Sequence, residues 1–131
     1  KDQVIFYVGP TPSKPGEIFG SGGPTTSGRM DAFAPMLIKM GLRSMIGKGY
    51  RQASVKEAIV ENNGIYFGAI GGAGAMMSNC IKKCEIIAFD DLAPEAIRRL
   101  EVENMPLVVI IDSDGNDQYI LGREDYLSTC K

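Results

Sequence analysis

The stretch from Leu42 to Ile70, LRSMIGKGYRQASVKEAIVENNGIYFGAI, decides the fold. Leu42-Arg43-Ser44-Met45-Ile46 has the character of a short strand, and Gly47-Lys48-Gly49 ends it. Ser54 stands at the cap of a helix over Val55 to Glu61, with Glu57 at the capping-box position. Asn62-Asn63-Gly64 closes that helix, and Ile65-Tyr66-Phe67-Gly68-Ala69-Ile70 reads as the next strand. Strand and helix alternate, which predicts an α/β fold with a largely parallel central sheet.

Toward the N-terminus, Val4 to Val8 is a β-branched and aromatic run that predicts a buried strand. Gly9 to Gly16 holds three prolines and reads as a loop, and Glu17-Ile18-Phe19 as a short strand. Phe33, Met36, Leu37 and Met40 have the spacing of one helix face, stopped by Gly41. Toward the C-terminus, Gly71 to Ala75 opens a short helix and Glu85 to Phe89 is a strand. Pro94 suits the first turn of a helix over Glu95 to Glu101, with Arg98 and Arg99 on its solvated face. Leu107 to Ile111 is a strand, and Asp114-Gly115 predicts a hairpin turn returning through Gln118 to Leu121. No linker divides the chain, so residues 1–131 read as a single domain.

At 131 residues, 44% apolar and 23% charged, the sequence has the composition of one globular domain. Its net charge of -2 offers no basic field for a nucleic-acid backbone. No apolar run approaches the roughly 18 residues of a membrane span. There is no histidine, which removes His-based nucleophile arrangements and His-ligated metals from the chain's own residues. Cys80, Cys84 and Cys130 are odd in number and follow no visible signal peptide, so reduced thiols and a cytoplasmic setting are expected. Cys80 and Cys84 would share a helix face, but too few ligands stand near them for a metal or cluster site. Lys1-Asp2-Gln3 leads straight into a strand, as in a chain read from after its natural start.

Two glycine-rich junctions could hold an anion, since helix N-termini in α/β sheets present free N–H groups. The one around Gly20 to Arg29 is better equipped. Thr25, Thr26 and Ser27 supply hydroxyls, and Arg29 supplies a planar fork suited to a carboxylate. A cap and tight turn with an exposed arginine fits the same pattern. Lys48, between two glycines after a strand, either joins Arg29 in one cleft or is a solvated turn lysine. Gly68 to Gly74 reads first as close helix–sheet packing. Dinucleotide, P-loop and calcium-loop spacings all fail: Thr25 takes the third glycine position after Gly20 and Gly22, Gly49 replaces the P-loop hydroxyl, and Gly115 comes too early for an EF-hand.

The string Gly23-Pro24-Thr25-Thr26-Ser27-Gly28-Arg29-Met30-Asp31 resembles the β half of the iron–sulfur hydro-lyases, class I fumarate hydratase and L-tartrate dehydratase. Tyr7-Val8-Gly9-Pro10, Ile46-Gly47-Lys48-Gly49, Tyr66-Phe67 with Gly71-Gly72-Ala73, and Asp90 to Ala96 extend the resemblance from about Val4 to Tyr119. It implies a swivelling three-layer β/β/α domain. It also implies an α partner whose own cysteines hold a [4Fe-4S] cluster, so that this chain ligates no metal. By that resemblance Thr25 is the catalytic base, Arg29 grips a substrate carboxylate and Lys48 is the active-site lysine, with Thr26 beside them in substrate binding. The two cations would stabilise negative charge building on a dicarboxylate and favour a deprotonated Thr25. The cluster would act as Lewis acid on the departing hydroxyl.

Family members carry an earlier Arg-Asp…His segment that this sequence lacks. The expected activity is reversible hydration of fumarate to L-malate, with the α subunit present, in a hetero- or homo-oligomer that contacts neither nucleic acid nor membrane. The alternatives are an L-tartrate dehydratase β subunit and a non-catalytic dicarboxylate-binding or assembly module. A nucleotide-binding α/β domain is a third, disfavoured by the glycine spacings.

Overall fold

A computed structural model describes residues 1–130. In chain order its elements are β1 (Gln3–Phe6), a 3-10 turn (Ser27–Met30), α1 (Ala34–Lys39), β2 (Leu42–Gly47), α2 (Ala53–Glu61) and β3 (Ile65–Gly68). They continue with α3 (Gly74–Asn79), β4 (Ile81–Ala88), a second 3-10 turn (Asp90–Glu95), β5 (Ile97–Val102), β6 (Val108–Ile111) and α4 (Gln118–Thr129). The fold is mixed α/β. Two compact units share the chain, and neither is continuous in sequence.

The first unit takes Lys1–Tyr7, Thr26–Gly68 and the chain from Leu107 onward. Its sheet has the order β1-β2-β3-β6. The first three strands are parallel, and β6 joins antiparallel to β3. Met45 of β2 lies opposite Ile5 and Tyr66, and Tyr66 lies opposite Ile111. Ala34 and Ile38 of α1 and Val55, Ala58 and Ile59 of α2 complete the core with these residues. The central strand β2 is buried at every position but Arg43, as a strand covered on both faces should be.

Four expectations shift here. β1 is an edge strand, half-exposed rather than buried, because it pairs on one side alone. The helix before Gly41 exists, but it turns Ala34 and Ile38 inward and leaves Phe33, Met36 and Met40 outside. α2 begins at Ala53 with Gln52 as its cap, so Ser54 lies inside the helix and makes no capping box. The returning strand at Gln118 is instead α4. Asp117 caps it, its carboxylate accepting from the Tyr119 N–H at 3.0 Å, while Asp112 folds the preceding turn by accepting from Asn116 N–H at 2.9 Å.

The second unit takes Val8–Thr25 and Ala69–Pro106. β4 and β5 form a two-stranded antiparallel sheet in which Cys84 lies opposite Leu100 and Ile86 opposite Arg98. The expected helix over Glu95 to Glu101 is therefore a strand. Arg98 accounts for the reversal: its guanidinium donates to the carbonyls of Ala93 at 2.8 Å, Ala96 at 3.2 Å and Pro94 at 3.3 Å, tying off the turn. Lys83 pairs with Glu101 and Arg99 with Glu85 along the ladder. Glu17 to Phe19 forms no strand; Glu17 closes a turn on Lys14, and Phe19 is buried. No helix among the described residues is long and apolar enough to cross a membrane.

Candidate active site

The Thr25–Asp31 segment is positioned first by its backbone. Thr26 forms a parallel bridge with Lys48, and the Ser27 N–H donates to the Lys48 carbonyl at 3.0 Å. The segment thus runs alongside the end of β2. That close approach explains Gly47: a Cβ there would lie 1.8 Å from Ser27 Oγ. Gly49 has φ +89, a left-handed conformation that turns the chain after Lys48. Both glycines of Gly47-Lys48-Gly49 serve the backbone around an exposed lysine.

Beneath the segment lies a buried polar layer. Ser27 and Tyr66 are wholly inaccessible, and their hydroxyls are 2.9 Å apart. The Tyr66 oxygen is also 3.0 Å from the Gly49 carbonyl. A single phenol proton satisfies this layer if Tyr66 donates to Gly49 and accepts from Ser27. Burial pushes the Tyr66 phenol above 10.0, against the opposing hydrogen bond of Ser27 and the charge of Arg51.

The far end of the segment is pinned by charge. Asp31 accepts from Arg51 Nε at 2.6 Å and from the Gln52 backbone N–H at 2.7 Å. The two side chains are 1% and 0% exposed, so neither charge can fall back on water. The Arg51 guanidinium lies 4.9 Å from the centre of the Tyr66 ring and 5.6 Å from that of Tyr7, a cation–π arrangement inside the core. Ser27 and Asp31 therefore anchor both ends of a turn whose middle residues are Gly28, Arg29 and Met30.

Of the predicted site residues, Thr26 and Lys48 are brought side by side, and Arg29 sits on the anchored turn that follows. Thr25 is exposed and is the last residue of the second unit's first segment. Arg29 and Lys48 are both exposed. Among the described residues neither has a carboxylate partner, and no side-chain hydrogen bond links Thr26, Arg29 and Lys48. The arrangement is a rigid backbone that presents two unneutralised cations and a hydroxyl, chemistry suited to a small carboxylate. The second glycine-rich junction is packing: a Cβ on Gly74 would lie 2.7 Å from Ser21 Oγ and 3.0 Å from Gly23 N, within the second unit. A cavity of about 180 Å³ between Pro12, Phe19, Cys84 and Arg98 also belongs to that unit and contains none of the predicted residues.

Sequence reading did not find Arg51, Tyr66 or the anchoring role of Asp31. An ion pair across 20 residues leaves no local pattern. The available signal was an aspartate closing the loop motif and, 20 positions on, an arginine just before a helix cap.

The fumarase C-terminus family model matches residues 1–121. The chain belongs to that family. It is 41% identical over 119 residues to fumarate hydratase 1, mitochondrial, of Leishmania major, and 40% identical over 119 residues to the anaerobic class I fumarate hydratase of Escherichia coli (strain K12). Each match covers 89% of this chain and 22% of the relative. The chain thus spans about a fifth of the length of these fumarate hydratases. It is also 34% identical over 124 residues to a putative L(+)-tartrate dehydratase subunit beta of Methanocaldococcus jannaschii, covering 90% of this chain and 64% of that protein.

The chain's own residues do not fit an iron–sulfur cluster. Cys80 ends α3, with its thiol 3.6 Å from the Asn104 carbonyl; Cys84 lies within β4; Cys130 caps α4 in the other unit. Among the described residues no three Cys, His, Asp or Glu side chains gather as a metal site. A cluster of that type needs three or four thiolates together.

Proposed function

We propose that this chain is the β portion of a hydro-lyase that reversibly hydrates fumarate to L-malate, and that it works with an α partner. The observation that carries this reading is the pair of exposed cations, Arg29 on the turn anchored by Ser27 and Asp31, and Lys48 just after β2, bridged to Thr26 just before that turn. The fumarate hydratase relatives supply the substrate class. Arg29 would grip one carboxylate through its fork, and Lys48 would add a second point charge. Their combined charge would stabilise the extra negative charge that builds on the dicarboxylate as a proton leaves the carbon next to a carboxylate, and, by the family resemblance, would favour Thr25 as the base. The [4Fe-4S] cluster and the swivelling β/β/α architecture belong to this same reading, with the cluster held by the α partner.

The test is reconstitution with the α partner under anaerobic conditions. Arg29→Ala or Lys48→Ala is expected to lower turnover about 100-fold or more, the scale of losing one charge-stabilising group. Turnover within threefold of wild type for both variants would defeat the assignment. A second reading is L-tartrate dehydratase, which the Methanocaldococcus relative favours through its greater coverage. Competing fumarate against L(+)-tartrate in one assay decides between them by the ratio of kcat/KM.

A further inference from the structure

Phe33, Met36, Leu37 and Met40 have the spacing of a core stripe, yet α1 buries Ala34 and Ile38 instead. Phe33, Met36 and Met40 are 55%, 57% and 72% exposed, and Met30, in the turn just before, is 37% exposed. Positions 33, 36 and 40 share one helix face, with half-buried Leu37 between them. The result is a contiguous apolar stripe on a six-residue helix and its lead-in. Single exposed apolar residues are ordinary, but a contiguous set marks a contact surface. Three of its four outer members are methionines, whose flexible thioethers adapt to a partner.

Charge narrows what that partner is. Between Ile18 and Gln52 the only acidic residue is Asp31, which is buried against Arg51. The exposed charges of the same stretch are Arg29, Lys39, Arg43 and Lys48, of which Arg43 is paired with Asp2. Arg29, which directly precedes the stripe, and Lys39, within it, have no carboxylate partner among the described residues, while the exposed carboxylates of the packed helix, Glu57 and Glu61, lie on α2. Two copies meeting stripe to stripe about a twofold axis would set Arg29 and Lys39 of one against those of the other, like facing like. The complementary surface is an apolar groove edged by carboxylates. The fumarate hydratase relatives carry about four-fifths of their length outside the region matched here, enough chain to supply it.

We infer that the Met30–Phe33–Met36–Met40 stripe is the docking surface for the polypeptide that completes the hydro-lyase, which meets it with an apolar groove rimmed by carboxylates. The inference rests on the function proposed above. Met30 directly follows Arg29, so docking there brings the partner against the turn that carries the carboxylate-binding fork.

The test titrates this chain with the purified α polypeptide by isothermal calorimetry, with turnover assayed on the same mixtures. Phe33→Glu/Met36→Glu is expected to weaken association about 100-fold or more, as losing two apolar anchors does, while its thermal melt stays at the wild-type temperature. Lys39→Glu is expected to weaken association about 10-fold and to flatten its dependence on salt. Thr25→Ala is expected to associate normally and lose turnover. Association by Phe33→Glu/Met36→Glu as tight as wild type overturns the docking surface, as does failure of the wild type to associate. So does a wild-type dimer, in sedimentation of this chain alone, that the double variant disperses. A Thr25→Ala complex with full turnover leaves the docking surface standing and defeats the catalytic reading instead.

Discussion

Asp31 with Arg51 in the first unit and Lys83 with Glu101 in the second are the same chemistry in opposite surroundings. The first pair is 1% and 0% exposed; the second is 60% exposed at the glutamate and 76% at the lysine. Asp31 and Arg51 are enclosed by protein groups: Gln52 N–H, the Tyr7 and Tyr66 rings, and Met45 Sδ at 3.4 Å from Arg51 Nη1, with Arg51 Nη2 buried and without a hydrogen-bond partner among the described residues. Around Lys83 and Glu101 there is chiefly water. A buried pair cannot be broken without stranding a charge, whereas an exposed one exchanges its partner for solvent. The difference teaches where the molecule spends its rigidity. The fixed pair sits directly behind the turn bearing Arg29, and the loose pair decorates a hairpin ladder.

Breaking the buried pair is the harshest test of that contrast. Arg51→Met leaves the Asp31 carboxylate buried with only a backbone N–H, and is expected to cost about 3–5 kcal/mol in urea unfolding. Asp31→Asn should be comparably severe, and the double variant milder than the sum of the two, since it strands no charge. A loss under about 1 kcal/mol for both single variants, near the ceiling for an exposed pair, would erase the distinction.

Tyr66→Phe sharpens the comparison. Removing the hydroxyl leaves Ser27 and the Gly49 carbonyl short of a partner, at about 1–3 kcal/mol. The pH profile carries a sign. Because burial raises the Tyr66 phenol above 10.0, its contribution is full below pH 10 and is lost as pH climbs through the raised folded value. Wild-type stability should fall as alkali is added beyond pH 10, and Tyr66→Phe should fall less steeply. Tyr7, raised by the same burial, supplies the slope that remains. An identical alkaline slope in wild type and Tyr66→Phe counts against the buried layer.

The gentlest probe is on the hairpin. Glu101 holds the Lys83 ammonium above its ordinary range by hydrogen bond and charge, yet both side chains are open to water. Glu101→Ala is expected to leave the unfolding midpoint unchanged at moderate salt. A clear drop would mean the ladder's ion pairs carry structural weight after all.

The sequence was most legible where short-range pattern and environment agreed. The strands at Leu42 and Ile65 and the helix between them were plain, because short apolar-bearing runs bounded by glycine alternate there with a helix-patterned segment. Gln118 misled for a local reason: Asp114-Gly115 looks like a hairpin turn, while Asp117 was overlooked as a helix cap. Ile97 to Val102 misled for a distant one. Its pattern suits helix or strand, and β4 together with the Arg98 turn decides. For the stripe at Phe33 the period was right and the buried face wrong, since periodicity cannot tell which side of a helix finds the core. The candidate residues Thr25, Thr26, Arg29 and Lys48 were visible in short motifs. The apparatus that fixes them, Ser27 on Tyr66 and Asp31 on Arg51, joins residues 39 and 20 positions apart, and no local window contains both partners.

The interleaving of the two units bears on how the polypeptide matures on the ribosome. β1, β2 and β3 emerge in order, but β6, the fourth strand of their sheet, is synthesised only after the excursion from Ala69 to Pro106. A nascent chain paused there exposes one edge of β3, with its hydrogen-bonding groups unpaired and open to adhesion with other chains. Translational stalling within that excursion would prolong the time for which that edge stays open.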